Sequence, residues 1–253
     1  MTQIASITNE IERLMDLNQA LQAWDLVKDT DHPLKDRVWL KVKHAFDDKA
    51  YREYYENDLR EIPITEDVAY DVTKHDARFR WLMPKLMQLS PKSVLDIGCA
   101  DGYLGLTLGR RGISSVGINL HRPSIDIARQ RAMLNGLPTS FVHGDFRDYT
   151  KQHQAVVFFE ILEHLYDQEA AIAKAYSLVE PGGKLYISTP RTDHIGIEMH
   201  LAEEGHEGWD DGKPAGHLRL LSEEEFKKLL KPYKVLEFHV DEERSMECEI
   251  TKE

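Results

Sequence analysis

In Ser93-Val94-Leu95-Asp96-Ile97-Gly98-Cys99-Ala100-Asp101-Gly102-Tyr103-Leu104-Gly105, an apolar run meets a glycine-bearing bend. The run from Ser93 to Ile97 is rich in β-formers and reads as a strand. Gly98 and Gly102 then allow the backbone to bend tightly and to approach a ligand closely. No Gly-Lys-Ser/Thr follows, so the bend is not a P-loop. Asp96, two residues before the first glycine, is the informative residue. A carboxylate there is poorly suited to a loop that must hold a pyrophosphate, because like charges would meet in a confined site. It suits a cationic or amino-bearing cofactor, and it disfavours a nicotinamide dehydrogenase.

Downstream of this stretch, strand-like and helix-like segments alternate. Leu104 and Leu108 fit a helix that Gly112 stops, and Ser115 to Leu120 gives a second strand. Ile125, Ala128 and Ala132 recur at helical spacing, with Pro123 near the start and Asn135-Gly136 as a stop. Phe141 to His143, Ala155 to Phe159 and Lys184 to Ser188 supply three more strands. Between the last two, Ile172, Ala175, Tyr176 and Val179 form a helical face expected to end at Pro181-Gly182-Gly183. Ser222 and Glu225 make a capping box that opens a helix through Phe226, Leu229 and Leu230. Val235 to Val240 and Met246 to Ile250 then read as a closing hairpin. This alternation predicts an α/β fold: a mostly parallel seven-stranded sheet, helices on both faces and a C-terminal antiparallel hairpin.

Upstream, residues 1–90 read as an N-terminal helical appendage, with residues 91–253 forming the main domain. Ile4, Ile7, Ile11, Leu14 and Leu21 form a helical stripe that packs on the protein's own core or, alternatively, makes a short homodimer seam with Asn18 in it. Tyr51, Tyr54, Tyr55, Tyr70, Phe79 and Trp81 follow, punctuated by Pro33, Pro63 and Pro84.

Composition narrows the function classes. Of 253 residues, 42% are hydrophobic and 30% charged, the usage of a globular protein with a buried core. Forty-four acidic against 32 basic residues leave a net charge of −12, whose field disfavours nucleic acid and anionic membrane surfaces as partners. Two cysteines and the lack of a signal-like N-terminus disfavour a disulfide-stapled secreted fold. The longest apolar stretch, Ala155 to Leu162, is broken by Glu160 and falls far short of the roughly 20 residues of a membrane span. The expected location is the cytoplasm.

Val94 to Gly102 resembles the first motif of the class I S-adenosylmethionine-dependent methyltransferases, V-L-D-x-G-C-G-x-G, with Ala100 in place of the second glycine. The resemblance continues through Val116 to Leu120, Gly144-Asp145-Phe146, Glu160 to Leu165 and Leu178 to Leu185, in the family's order and spacing, and it spans residues 92–240. It implies a Rossmann-like fold with S-adenosylmethionine as cofactor. Gly98, Ala100 and Gly102 would approach the cofactor's amino-acid end, with Asp96 holding that region electrostatically. Asp145 would accept from the adenine amino group, with Phe146 beside the ring. Asn119, followed by Leu120, stands where the family has an acidic ribose ligand; its amide can accept one hydrogen bond and donate another, and weaker cofactor binding is expected.

Glu160, Glu163 and His164 would share one face if a helix opens directly after the strand ending at Phe159. Three uses remain open for them. The glutamates can be ordinary first-turn helix chemistry, or Glu160 can face the cofactor. His164, backed by Glu163, can be the base that deprotonates an acceptor hydroxyl, since an imidazole titrates near ~6.5. The three, with His217 as a fourth ligand, can hold a divalent cation. Similar Glu-x-x-Glu-His patterns occur in metal-using small-RNA 2′-O-methyltransferases and in ubiquinone-pathway-like O-methyltransferases, so the pattern does not choose the acceptor.

Residues 191–216, which include His194, His200, His206 and Trp209, lack periodicity and leave the sheet beside the expected methyl group, the place of a substrate-covering lid. The resulting expectation is O-methylation of a small molecule or glycan. A metal-dependent RNA 2′-O-methyltransferase and a non-catalytic cofactor-binding scaffold are the alternatives.

Overall fold

A computed structural model describes residues 2–16, 20–35, 38, 76–165, 167–191, 220–241 and 245–253. Tyr51, Tyr54, Tyr55, Tyr70, most of the expected lid and His217 lie outside these residues. The described elements are α1 (Thr2–Asp16), α2 (Ala20–Val27), α3 (Ala77–Leu89), β1 (Val94–Ile97), α4 (Tyr103–Arg110), β2 (Ser115–Asn119), α5 (Arg122–Leu134), β3 (Thr139–His143), β4 (His153–Phe159), α6 (Gln168–Ser177), β5 (Val179–Pro190), α7 (Glu223–Leu230), β6 (Lys234–Val240) and β7 (Ser245–Thr251). A 3-10 turn, Leu162–His164, follows β4.

The seven strands form one sheet in the order β3-β2-β1-β4-β5-β7-β6. The first five run parallel, and β7 pairs antiparallel with both β5 and β6. The mostly parallel sheet with a C-terminal hairpin is thus as expected. β1 lies between β2 and β4, where successive connections pass to opposite sides of the sheet. At such a switch point a crevice opens beyond the strands' carboxyl ends.

Both faces are covered, which is why the central strands are apolar on successive residues rather than alternately. On one face Leu95, Ile97, Val156, Phe158 and Leu185 pack against Ala171, Ile172 and Ala175 of α6 and Phe226 and Leu230 of α7. On the other, Val94, Ala155, Val157, Phe159 and Tyr186 pack against Leu104 and Leu108 of α4 and Leu82, Met83 and Leu86 of α3. Ile125, Ala128 and Ala132 of α5 close a third cluster over Phe141. Among the described residues no helix is long and apolar enough to cross a membrane.

Local chemistry sets several boundaries. Ser222 and Glu225 form the expected reciprocal capping box on α7. α6 stops at Ser177, and Pro181-Gly182-Gly183, expected as its end, lies within β5 at an irregularity in the pairing with β4. The strand continues because Gly182 and Gly183 pair with Lys252. Pro84, expected as punctuation, lies inside α3. It is tolerated there because it sits on the exposed side, where water can satisfy the carbonyl it leaves without a donor.

The helical stripe near the N-terminus falls on two helices rather than one. Ile11 and Leu14 of α1 are buried, whereas Ile7 is exposed. Gln22 of α2 donates to the Leu220 carbonyl at 3.2 Å, tying this helix to the segment that enters α7. Because α3 packs directly on the sheet, Leu82→Ala should cost about 2–5 kcal/mol in urea unfolding, as for a core leucine. A loss below about 0.5 kcal/mol would instead mark α3 as a loosely attached surface element.

Candidate active site

The bend after β1 departs from ordinary strand or helix geometry at three positions. Gly98, Ala100 and Gly102 have φ of 75°, 45° and 87°. A Cβ on Gly98 would lie 2.1 Å from Ile161 Cδ1, and one on Gly102 would lie 2.6 Å from the Phe141 ring, so glycine is required at both for space as well as conformation. Ala100 takes the left-handed conformation despite its methyl group, a cost of order 1 kcal/mol held by its surroundings. Gly98 and Cys99 donate to the Ile118 carbonyl, which anchors the bend to β2.

Beyond the carboxyl ends of β1, β2 and β4 lies a cleft lined by Gly98, Ile118, Asn119, Leu120, Asp145, Phe146, Arg147, Glu160, Ile161, His164 and Leu165, among others. Gly98, Asn119, Leu120, Asp145, Phe146, Glu160 and His164 thus line one cleft. Asp96, Gly102 and Glu163 are buried and Ala100 is exposed; none of the four is among the residues that line it. Asp96 is 6% exposed, and burial pushes its carboxyl up to about 7. Among the described residues no cation or hydrogen-bond donor offsets this desolvation. A buried acid left in that state is complementary to a cationic or amino group arriving at the Gly98 bend. The residues present therefore fit the sulfonium and amino-acid end of S-adenosylmethionine.

Asn119 Oδ1 accepts the His121 backbone N–H at 3.0 Å, closing the turn into α5. The amide is therefore oriented by the chain itself, with Nδ2 left as its donor at the cleft. Asp145 accepts from the Arg147 backbone N–H at 2.8 Å, from Arg147 Nε at 3.1 and 3.0 Å and from Nη2 at 2.7 Å. Its carboxylate is thereby fixed at the cleft edge. Phe146 is buried and tilts against Phe158 at 5.3 Å between ring centroids, so its ring belongs to the core as well as to the cleft. His143 donates through Nε2 to the Leu120 carbonyl at 2.9 Å.

The region after β4 corrects the expectation that a helix opens there with three residues on one face. Glu160 still donates through its backbone to Ser188, continuing the β4–β5 ladder, and then turns at φ 55°. Only Leu162–His164 form a helical turn, of the 3-10 type, pinned by Gln168 Nε2 donating to the Leu162 carbonyl at 2.8 Å. The left-handed residue breaks the helical phase, so the three side chains do not share one helical face. Glu160 accepts from Ser188 Oγ at 2.9 Å and pairs with Arg78 Nη1 at 2.8 Å. Glu163 is 1% exposed, with Thr189 Oγ1 3.4 Å from Oε2. Desolvation first, and the Glu160 charge second, push its carboxyl well above the usual range. His164 is partly exposed in the cleft, its Nε2 3.7 Å from Glu163 Oε1, an ion-pair rather than a hydrogen-bond distance.

Among the described residues no group of three or more His, Cys, Asp or Glu side chains converges as a metal would require. Arg78 had no sequence signal. It lies on α3, outside every motif, and only the packing of that helix brings it to Glu160. Ile161 could have been anticipated, as the bulky residue that must close over a glycine bend.

Residues 74–233 match the family model described as a methyltransferase domain. The ubiquinone biosynthesis O-methyltransferase of Aeromonas salmonicida is 31% identical over 116 residues, covering 44% of this chain and 49% of that protein. The Haemophilus ducreyi protein of the same name is 32% identical over 120 residues, covering 44% and 51%. The chain thus spans about half the length of these curated relatives. In fold it resembles the magnesium protoporphyrin IX methyltransferase of Synechocystis PCC 6803 (TM-score 0.54, 20% identity, covering 86% of this chain and 98% of that one). It also resembles a methyltransferase from Methanosarcina mazei (TM-score 0.56, 20% identity, covering 68% and 96%). With the family model covering more than half of its residues, the chain belongs to the class I S-adenosylmethionine-dependent methyltransferases.

Proposed function

We propose that this protein methylates a hydroxyl oxygen of a small molecule or glycan. The observation that carries the reading is the buried carboxylate of Asp96, without a cation among the described residues, beneath the Gly98 bend at the switch point of the sheet. The names of the two curated relatives above, both ubiquinone biosynthesis O-methyltransferases, favour oxygen as the nucleophile. Bound S-adenosylmethionine would supply an electrophilic methyl group on a sulfonium, leaving the protein to position the acceptor, remove its proton and exclude water.

In this reading Asp96, Gly98, Ala100 and Gly102 hold the amino-acid end. Asn119 and Leu120 hold the ribose, Asp145 and Phe146 the adenine, and Glu160 borders the sulfur side. His164 receives the proton of the acceptor hydroxyl, and Glu163, 3.7 Å from Nε2, steadies the imidazolium that forms.

Charge at Asp96 gives a pH signature. Burial pushes the Asp96 carboxyl up to about 7 in the ligand-free fold, against roughly 3.9 for an exposed aspartate. The fold is therefore fully stable with respect to this group below about pH 4 and loses stability as pH rises toward 7. Asp96→Asn should stabilise the ligand-free protein at pH 8 by on the order of 1–3 kcal/mol, with little change at pH 4. In the wild type, S-adenosylhomocysteine should bind about tenfold more tightly at pH 8 than at pH 6, with a buffer-dependent calorimetric enthalpy that Asp96→Asn abolishes. A pH-independent affinity in the wild type would remove Asp96 from the cofactor site.

For the acceptor side, His164→Ala should lower methyl transfer to phenolic or glycan hydroxyls by about 10²–10⁴-fold, leaving S-adenosylhomocysteine affinity within about twofold of wild type. Retained turnover would transfer the proton-removing role to another group.

A further inference from the structure

Arg78 is the cation around which the carboxylates at the end of β4 are arranged. It lies in the first turn of α3. Asp76, the N-cap of that helix, accepts its backbone N–H at 2.9 Å and its Nε at 2.9 and 3.2 Å, and pairs with Nη2 as well. Nη1 reaches across to Glu160 Oε2 at 2.8 Å, with the guanidinium mostly buried. Since Ser188 Oγ donates to Oε1, both oxygens of Glu160 are engaged, and its left-handed backbone is held from two sides.

Two further acids crowd this point. Glu247, on β7 opposite Ser188, is fully buried. Glu163 Oε1 and Glu247 Oε2 have no hydrogen-bond partner among the described residues. Both acids feel the repulsion of Glu160 and the attraction of Arg78. The carboxylates of Asp76 and Glu160 are thus paired directly with one guanidinium, and the buried Glu163 and Glu247 lie within its field. That cation stays charged at any working pH, and its planar fork suits two carboxylates at once.

A divalent ion seated on Glu160 would have to displace Arg78 from Oε2, bringing two cations together in a mostly dehydrated pocket. We infer that Arg78 is a built-in cation that takes, at Glu160, the place a divalent metal would need, and so positions this cleft-wall carboxylate without a metal ion. Arg78 is on this account a positioning residue acting through Glu160. Activation of an acceptor then falls to His164 with no Lewis-acid help.

The test uses the full chain and needs no methyl acceptor, so it fails or succeeds separately from the proposed reaction. Manganese(II) titration followed by electron paramagnetic resonance should show no ion on the wild type that Glu160→Gln removes. EDTA should leave its Tm unchanged. Arg78→Ala should lower Tm by about 4–8 °C and gain a manganese site that is lost again when Glu160→Gln is added. Arg78→Lys should restore most of the Tm and exclude the ion. Should Arg78→Ala not fold, the wild-type titration with and without Glu160→Gln still decides. A wild-type manganese signal abolished by Glu160→Gln would overturn the assignment, as would an Arg78→Ala protein with unchanged Tm and no manganese uptake.

Discussion

Holding the Asp96 carboxylate out of water is the constraint on which this site depends. An ionised acid in the interior is tolerated only if something of opposite charge meets it or its proton is retained. The strand order brings to its vicinity a bend whose backbone turns through positive φ at Gly98, Ala100 and Gly102, the β2 terminus with Asn119, and the β4 terminus with Glu160. Among the described residues no basic side chain offsets the burial of Asp96. The fold carries this cost in the ligand-free state, and under the proposed function a cationic ligand would relieve it, linking binding and fold stability through one proton.

The other polar groups of the cleft are handled in the opposite way. Asp145 is clasped by Arg147, Asn119 by the His121 N–H, and Glu160 by Ser188 and Arg78. Each arrives at the cleft already oriented by the chain, so little side-chain freedom remains to be lost when a ligand enters. Asp96 supplies charge attraction, and its neighbours supply fixed directions.

The parts of this arrangement legible in the sequence are those governed by local rules. Apolar runs separated by glycine and proline located the strands, and the Ser222–Glu225 pair gave the start of α7 because capping depends on residues three apart. The glycine bend and Asp96 were legible because conformation and charge act within nine residues. What escaped depends on tertiary placement or on a single backbone angle. Glu160 to His164 read as a helical face because nothing in the sequence shows that Glu160 adopts φ 55°. The strand β5 runs through Pro181-Gly182-Gly183 because Lys252, about 70 positions later, supplies its partner. Arg78 belongs to a helix that reads as part of an appendage yet packs beneath the sheet.

The position of β7 also bears on how the molecule is assembled. β7 follows β6 in the chain but lies between β5 and β6 in the sheet. During vectorial synthesis β5 therefore emerges with one long flank of backbone donors and acceptors unmatched until residues 245–251 have been made. An unmatched flank of apolar strand is a template for pairing with neighbouring chains. Nascent copies of this protein are thus exposed to intermolecular association in the interval before the hairpin docks.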